Sequence, residues 1–235
     1  MSPARFPNPV FVAIDTPDLG RALELARAVK PHVGGLKIGL EFYTAQGPAG
    51  IRAMAGIGLP LFADLKFHDI PNTVAGAARE LARLGVSIFN VHASGGEAML
   101  RAALEAARGV SESVRVIGVT VLTSLDEPDL AAVGQIGPAL DQVVRLASLV
   151  QRCGLDGVVC SAREIAALRK TCGASFLLVT PGIRAADGEI ADQRRVLTPR
   201  AAQDAGSDIL VIGRPITAAP DPGAAARAVS AELGL

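Results

Sequence analysis

Leu59-Pro60-Leu61-Phe62-Ala63-Asp64-Leu65-Lys66-Phe67-His68-Asp69-Ile70-Pro71-Asn72-Thr73 is an apolar run that stops on charge and restarts at a proline. Residues 59–64 read as a buried strand. Side chains on a strand alternate between faces, so Asp64 and Lys66 fall on the same side. A carboxylate and an ammonium at the end of an apolar strand are costly to bury unless they pair. Asp69 lies just beyond, and Pro71 suits the first turn of a helix. Taken alone, this spacing also fits a surface ion pair at a strand end.

The same unit recurs outward in both directions. Strand candidates fall at 10–14, 35–38, 59–64, 86–91, 114–121, 157–160, 176–179 and 209–212, each followed by a helical pattern. Eight such units imply an α/β fold, a (β/α)8 TIM barrel, with a doubly wound open sheet as the alternative. Leu19, Ala22, Leu23 and Ala26 repeat at helical spacing after a start at Thr16-Pro17. Val74, Ala77, Ala78 and Leu81 do so after Pro71, and Leu100, Ala103, Leu104 and Ala107 before Gly109. Leu140, Val143, Val144 and Ala147 form another apolar face. Ser94 with Glu97, and Ser161 with Glu164, have capping-box spacing. Thr198-Pro199 and Asp221-Pro222 mark two further helix starts. The chain has 235 residues, half of them hydrophobic, with no linker or low-complexity tract, so residues 1–235 are expected to form a single domain.

Composition narrows the partners. The 23 basic and 23 acidic residues balance, and there is one Tyr and no Trp, so a nucleic-acid partner is not expected. No apolar run approaches membrane-spanning length, and Met1 to Arg5 lack the apolar core of a secretory leader. Cys153, Cys160 and Cys172 are odd in number and lack zinc spacing, which fits buried thiols in a reducing cytoplasm.

In a barrel the chemistry sits on the loops that follow the strands. Those ends carry Asp15, Lys37, Asp64 with Lys66, His92, Thr120 with Thr123, Ser161, Thr180-Pro181-Gly182-Ile183-Arg184 and Gly213-Arg214-Pro215. Asp15 also suits a plain turn. A lysine inside an apolar parallel strand is unusual, which favours function for Lys37. His92 and His68 read as structural, His92 through a hydrogen bond, and His32 as a surface residue. Three scattered histidines make no metal site. The carboxylates could take Mg2+, but neighbouring lysines compete for them. Gly182 with Arg184, and Gly213 with Arg214, suit an anion, because glycine lets backbone N–H groups approach and arginine adds a bidentate donor. Barrels frequently bind phosphate at these last two loops. The charged loop 184–198 is long enough to act as a lid, or to be an ordinary solvated insertion.

From Val12-Ala13-Ile14-Asp15 to Val211-Ile212-Gly213-Arg214-Pro215, the chain resembles the orotidine 5′-phosphate decarboxylase family of the bacterial type. The motif Asp64 to Thr73 carries most of the likeness, with Val119-Thr120-Val121-Leu122-Thr123-Ser124, Thr180 to Arg184 and Asp192-Gln193-Arg194-Arg195. The resemblance implies decarboxylation of orotidine 5′-phosphate to UMP and CO2 without a cofactor or metal, as the last step of de novo UMP synthesis. It implies a homodimer with shared active sites. Lys37, Asp64, Lys66 and Asp69 would form an alternating array, with Asp69 donated across the interface. Asp15 and Lys37 would meet the ribose hydroxyls, joined by Thr73 from the second subunit. Thr123 would lie at the pyrimidine, and Gln193 between base and phosphate. Arg184, Gly213 and Arg214 would serve the phosphate.

The residue types suit that chemistry. Loss of CO2 from C6 leaves charge on a ring carbon with little delocalisation, so electrostatic stabilisation must do most of the work. Lys66 can stabilise the carbanion and then protonate it, while Asp64 and Asp69 favour the ammonium electrostatically. Repulsion between Asp64 and the substrate carboxylate is a secondary contribution. Two other readings fit parts of the pattern. One is a Mg2+-dependent sugar-phosphate decarboxylase or hexulose-phosphate synthase of the same superfamily. The other is a non-catalytic nucleotide-binding barrel.

Overall fold

The computed structural model describes residues 6–183 and 197–235. Eight parallel strands close into a barrel in sequence order. They are β1 (Val10–Ile14), β2 (Gly35–Ile38), β3 (Leu61–Phe67), β4 (Ile88–His92), β5 (Arg115–Val119), β6 (Gly157–Val159), β7 (Leu177–Thr180) and β8 (Ile209–Ile212). β1 pairs with both β2 and β8, which closes the sheet and excludes the open alternative.

The helices of the described residues alternate with these strands. The first half carries α1 (Leu19–Val29), α2 (Leu40–Ala55), α3 (Pro71–Ala82) and α4 (Gly96–Arg108). The second carries α5 (Glu127–Ala132), α6 (Ala139–Arg152), α7 (Ile165–Cys172), α8 (Pro199–Asp204), α9 (Arg214–Thr217) and α10 (Pro222–Glu232). None is long and apolar enough to cross a membrane.

Most helix starts follow the sequence signals. Thr198 and Asp221 accept hydrogen bonds from the N–H groups of Ala201 and Ala224, with Pro199 and Pro222 in the first turns. Pro71 opens α3 as expected. Three details differ. α1 starts at Leu19 rather than at Thr16-Pro17, because the Asp18 carboxylate is the cap and accepts from Arg21 N–H at 2.6 Å. The Ser94–Glu97 box does not form. Ser94 lies in a 3-10 turn ahead of α4, and Glu97 pairs with Arg101 at 2.9 Å instead. α6 buries Val143, Leu146, Ala147 and Val150, and leaves Leu140 exposed, so its apolar face is rotated from the expected one.

Two apolar layers follow. Outward-facing strand residues pack beneath the helices. Inward-facing ones, including Phe11, Phe62, Ile88, Ile117, Leu177 and Ile209, fill the barrel. This interior is tightly shared. Gly35 lies beside Phe11 in the β1–β2 register, and a Cβ there would come 2.3 Å from the Phe11 ring. Phe11 is fully buried and has nowhere to retreat. Gly35→Ala should therefore destabilise the fold by about 1–3 kcal/mol, read by denaturant unfolding. Parent-like stability would contradict a filled barrel interior.

Candidate active site

The interior changes character towards the C-terminal ends of the strands. One step beyond Phe11, Gly35, Phe62 and Ile88 along their strands come Ala13, Lys37, Asp64 and Asn90. Apolar packing thus gives way to charge at the mouth. A cavity of about 540 Å³ opens there. Asp15, Lys37, Asp64 and Lys66 line one side of it. Thr123, Gly182, Gly213 and Arg214 line the rest, with Val121, Leu122 and Pro181 as apolar wall.

Two ion pairs organise the charged side. Lys37 Nζ donates to Asp15 Oδ1 at 2.7 Å. The Lys37 side chain is only 8 % exposed whereas Asp15 is 54 % exposed, so the carboxylate compensates an ammonium taken out of water. Gly39 makes room for the pair, since a Cβ there would lie 3.2 Å from Asp15 Oδ1. Lys66 Nζ donates to Asp64 Oδ1 at 2.6 Å, and both side chains are partly buried.

The second pair does not rest on a regular strand. β3 runs on to Phe67, past the expected end at Asp64. Its pairing with β4 slips between Ala63 and Phe67. Ala63 lies opposite Phe89 and Phe67 opposite Val91, so β3 advances four residues while β4 advances two. Lys66 absorbs the slack with φ 52°, the one positive φ outside glycine among the described residues. That backbone region costs an ordinary residue roughly 1–2 kcal/mol. The ammonium and carboxylate meet as simple alternation predicts, but through a bulge.

Asn90, from β4, holds this irregular stretch. It is fully buried. Its Nδ2 donates to Asp64 Oδ1 at 2.7 Å, and its Oδ1 accepts from the backbone N–H of Lys66 at 2.8 Å. The sequence reading passed over Asn90. The available signal was a carboxamide in the otherwise apolar run Ile88-Phe89-Asn90-Val91.

Not every expected residue reaches the cavity. Asp69 and Thr73 are exposed and lie outside its lining. Asp69 Oδ1 accepts from the N–H of Ile70, its own neighbour, at 2.6 Å. Within one chain, therefore, Lys66 pairs with Asp64 and not with Asp69. Arg184 and Gln193 lie outside the described residues, as does most of the expected lid. Gly182 has φ 76°, a conformation suited to glycine, and turns the backbone at the end of β7. Gly213 precedes the short α9, with Arg214 as its first residue. Among the described residues, no three His, Cys, Asp or Glu side chains gather as a metal ligand set. The three cysteines are free and buried.

His92 ends β4 beside the site. Its ring lies against His68, centroids 5.3 Å apart, in place of the expected hydrogen bond. Burial holds its pKa below the ordinary 6.5, and repulsion from His68 and Lys66 adds to this.

A parallel eight-stranded barrel with paired charges lining a cavity of about 540 Å³ at its C-terminal mouth defines a (β/α)8-barrel enzyme. Residues 8–229 match the model of the Orotidine 5'-phosphate decarboxylase / HUMPS family, and the chain belongs to that family. It is 55 % identical over 233 residues to the orotidine 5'-phosphate decarboxylase of Paramagnetospirillum magneticum, covering 97 % of this chain and 99 % of the relative. The enzyme of that name from Moorella thermoacetica is 54 % identical, with 95 % and 91 % covered. The crystal structure of orotidine 5'-phosphate decarboxylase from Lactobacillus acidophilus superposes with a TM-score of 0.85 at 37 % identity, covering 97 % of this chain and 100 % of that one.

The His92 environment has a direct consequence for pH. A folded-state value below 6.5 means that the unfolded chain takes up the proton first as pH falls. The contribution of His92 to stability is complete above 6.5 and lost as pH drops through the folded value. An NMR titration should place the His92 midpoint below 6.5, and a midpoint at or above 6.5 would contradict the packing described.

Proposed function

We propose that this chain decarboxylates orotidine 5′-phosphate to UMP and CO2 without a cofactor, as the last step of de novo UMP synthesis. Residues 1–235 would act as one decarboxylase domain in the cytoplasm. Family membership supports the reaction class. The observation that carries the chemistry is the Lys66–Asp64 pair in the barrel mouth, at 2.6 Å, beside a second lysine–aspartate pair.

The roles follow from charge and position. The bond between C6 and the carboxylate breaks, CO2 leaves, and the electron pair stays on C6. The Lys66 ammonium stabilises that charge in a partly dehydrated site and then donates its proton to form the C6–H bond. Water reprotonates the amine for the next cycle. Asp64 keeps the ammonium in place, and its repulsion of the substrate carboxylate is relieved as CO2 departs. Lys37 and Asp15 bind the ribose hydroxyls, and Thr123 meets the pyrimidine. Gly213 and Arg214 take the phosphate, joined by Arg184, with Gln193 bridging base and phosphate. Phosphate lies far from the reacting carbon and supplies binding energy that orients it.

Asp69 and Thr73 complete the site from the second subunit of a homodimer. Their exposure and their position outside their own cavity support this. The array then reads Lys37, Asp64, Lys66 and Asp69 of the partner subunit.

A continuous absorbance assay with orotidine 5′-phosphate and excess EDTA tests the proposal. Loss of substrate absorbance with UMP appearing is the expected result. A folded protein inert in that assay, but active on a hexulose or pentulose phosphate once Mg2+ is restored, would move it to the sugar-phosphate branch. Inactivity on both, with nucleotide still bound, would leave a binding-only barrel.

A further inference from the structure

Asn90 at the mouth is a polar side chain with no part in the chemistry above, and it is better buried than any described residue that has one. Asn90 is fully enclosed, inside an apolar strand. Burying a carboxamide is costly unless both of its ends are satisfied. Here both ends are satisfied, and both partners belong to the reacting pair.

The orientation of the amide follows from its partners. A backbone N–H only donates, so the Asn90 oxygen must face Lys66 and the nitrogen must face Asp64. The nitrogen meets the same Asp64 oxygen that receives the Lys66 ammonium. Oδ1 thus takes two donors, and Oδ2 takes none from the described residues. Asn90 also stands opposite the slip in the ladder, the only β4 residue between the pairs Ala63–Phe89 and Phe67–Val91. Its side chain does there what a neighbouring backbone does elsewhere in the sheet. It accepts the N–H of Lys66, the one non-glycine residue with positive φ among the described residues.

We propose that Asn90 is the positioning residue of the Lys66–Asp64 pair. Its carbonyl fixes the left-handed backbone of Lys66, and its amide fixes the Asp64 oxygen that Lys66 must meet. This rests on the decarboxylase reading above. Asn90 lies outside the cavity lining. It acts on the angle and distance at which the ammonium approaches C6, and small misplacements there lower turnover more than binding.

Two variants separate its two jobs. Asn90→Leu keeps the branched shape, with somewhat more bulk, and loses both bonds. Asn90→Asp keeps the acceptor for Lys66 N–H but places a carboxylate against Asp64. Like charges this close cannot both ionise comfortably, so the introduced carboxyl holds a proton at low pH and donates it to Asp64, as the amide does. As pH rises it ionises and pushes Asp64 away. The charged and titratable groups around it are Asp64 and Lys66 on β3, with His92 and His68 at the mouth. On the other side β5 sets Ile117 opposite Asn90, and its Arg115 lies opposite Ile88, away from the mouth.

The experiment measures kcat on orotidine 5′-phosphate against pH, the Kd for UMP and the Tm, for the parent and both variants. In Asn90→Leu, kcat should fall roughly 10- to 100-fold while the UMP Kd moves by no more than about 3-fold. In Asn90→Asp, turnover should survive at low pH and fade as pH rises, along a descending limb that falls at lower pH than the one set by Lys66 in the parent. Asn90→Ser, with a smaller polar group, covers the case in which leucine prevents folding, and should show the same loss of kcat over binding. Parent-like kcat in the variants would overturn the proposal. So would losses of kcat, UMP affinity and Tm that run in parallel at every pH, since these mark a merely structural residue. A parent protein inert on the substrate would instead overturn the decarboxylase reading, and this inference with it.

Discussion

An ammonium and a carboxylate held 2.6 Å apart, partly out of water, set the terms for the rest of this protein. Neither charge is cheap to bury alone, and each makes the other tolerable. The pair stands at the end of a strand that departs from regular geometry, with Lys66 in a backbone conformation an ordinary residue avoids. Such strain persists only where the surroundings over-determine it. The surroundings here are a closed barrel with a filled interior and a buried asparagine gripping the irregular turn. The scaffold's rigidity and the site's strain are two sides of one arrangement.

The barrel also sorts its polar and apolar residues along a single axis. Phe11, Phe62, Ile88 and Leu177 occupy the interior below the mouth. Lys37, Asp64 and Asn90 follow at the next inward-facing positions of their own strands. Charges placed there sit above a low-dielectric floor, where electrostatic interactions are stronger than in water. The opposite wall, from β7 and β8, offers glycines and Arg214. A substrate with an anionic tail and a reacting ring would therefore lie across the mouth between unlike walls.

Much of this was legible in the sequence. Eight strands were visible because each is a short, largely apolar run bounded by helical spacing, and 10–14, 35–38 and 209–212 match in full. Asp15, Lys37, Asp64, Lys66, Thr123, Gly213 and Arg214 converge on one cavity, as their positions after strands suggested. What was not legible depends on tertiary contacts. The bulge in β3 exists because β4 and the barrel interior impose it, and no local propensity announces φ 52° at a lysine. Asn90 was hidden for the same reason, since its role appears only when two strands are laid side by side. The rotation of α6 and the unmade Ser94–Glu97 box were decided by packing and by the competing Arg101. Asp69 and Thr73 carried a strong motif, yet one chain alone gives them no place in its own cavity.

The central claim is that Lys66 delivers the proton to C6. By microscopic reversibility, the same lysine must remove that proton from bound product. UMP incubated with the protein in D2O, followed by the NMR signal of the C6 hydrogen, tests this directly. The account predicts that the parent protein exchanges that hydrogen for deuterium and that a folded, UMP-binding Lys66→Ala variant does not. Equal exchange by the Lys66→Ala variant would contradict it.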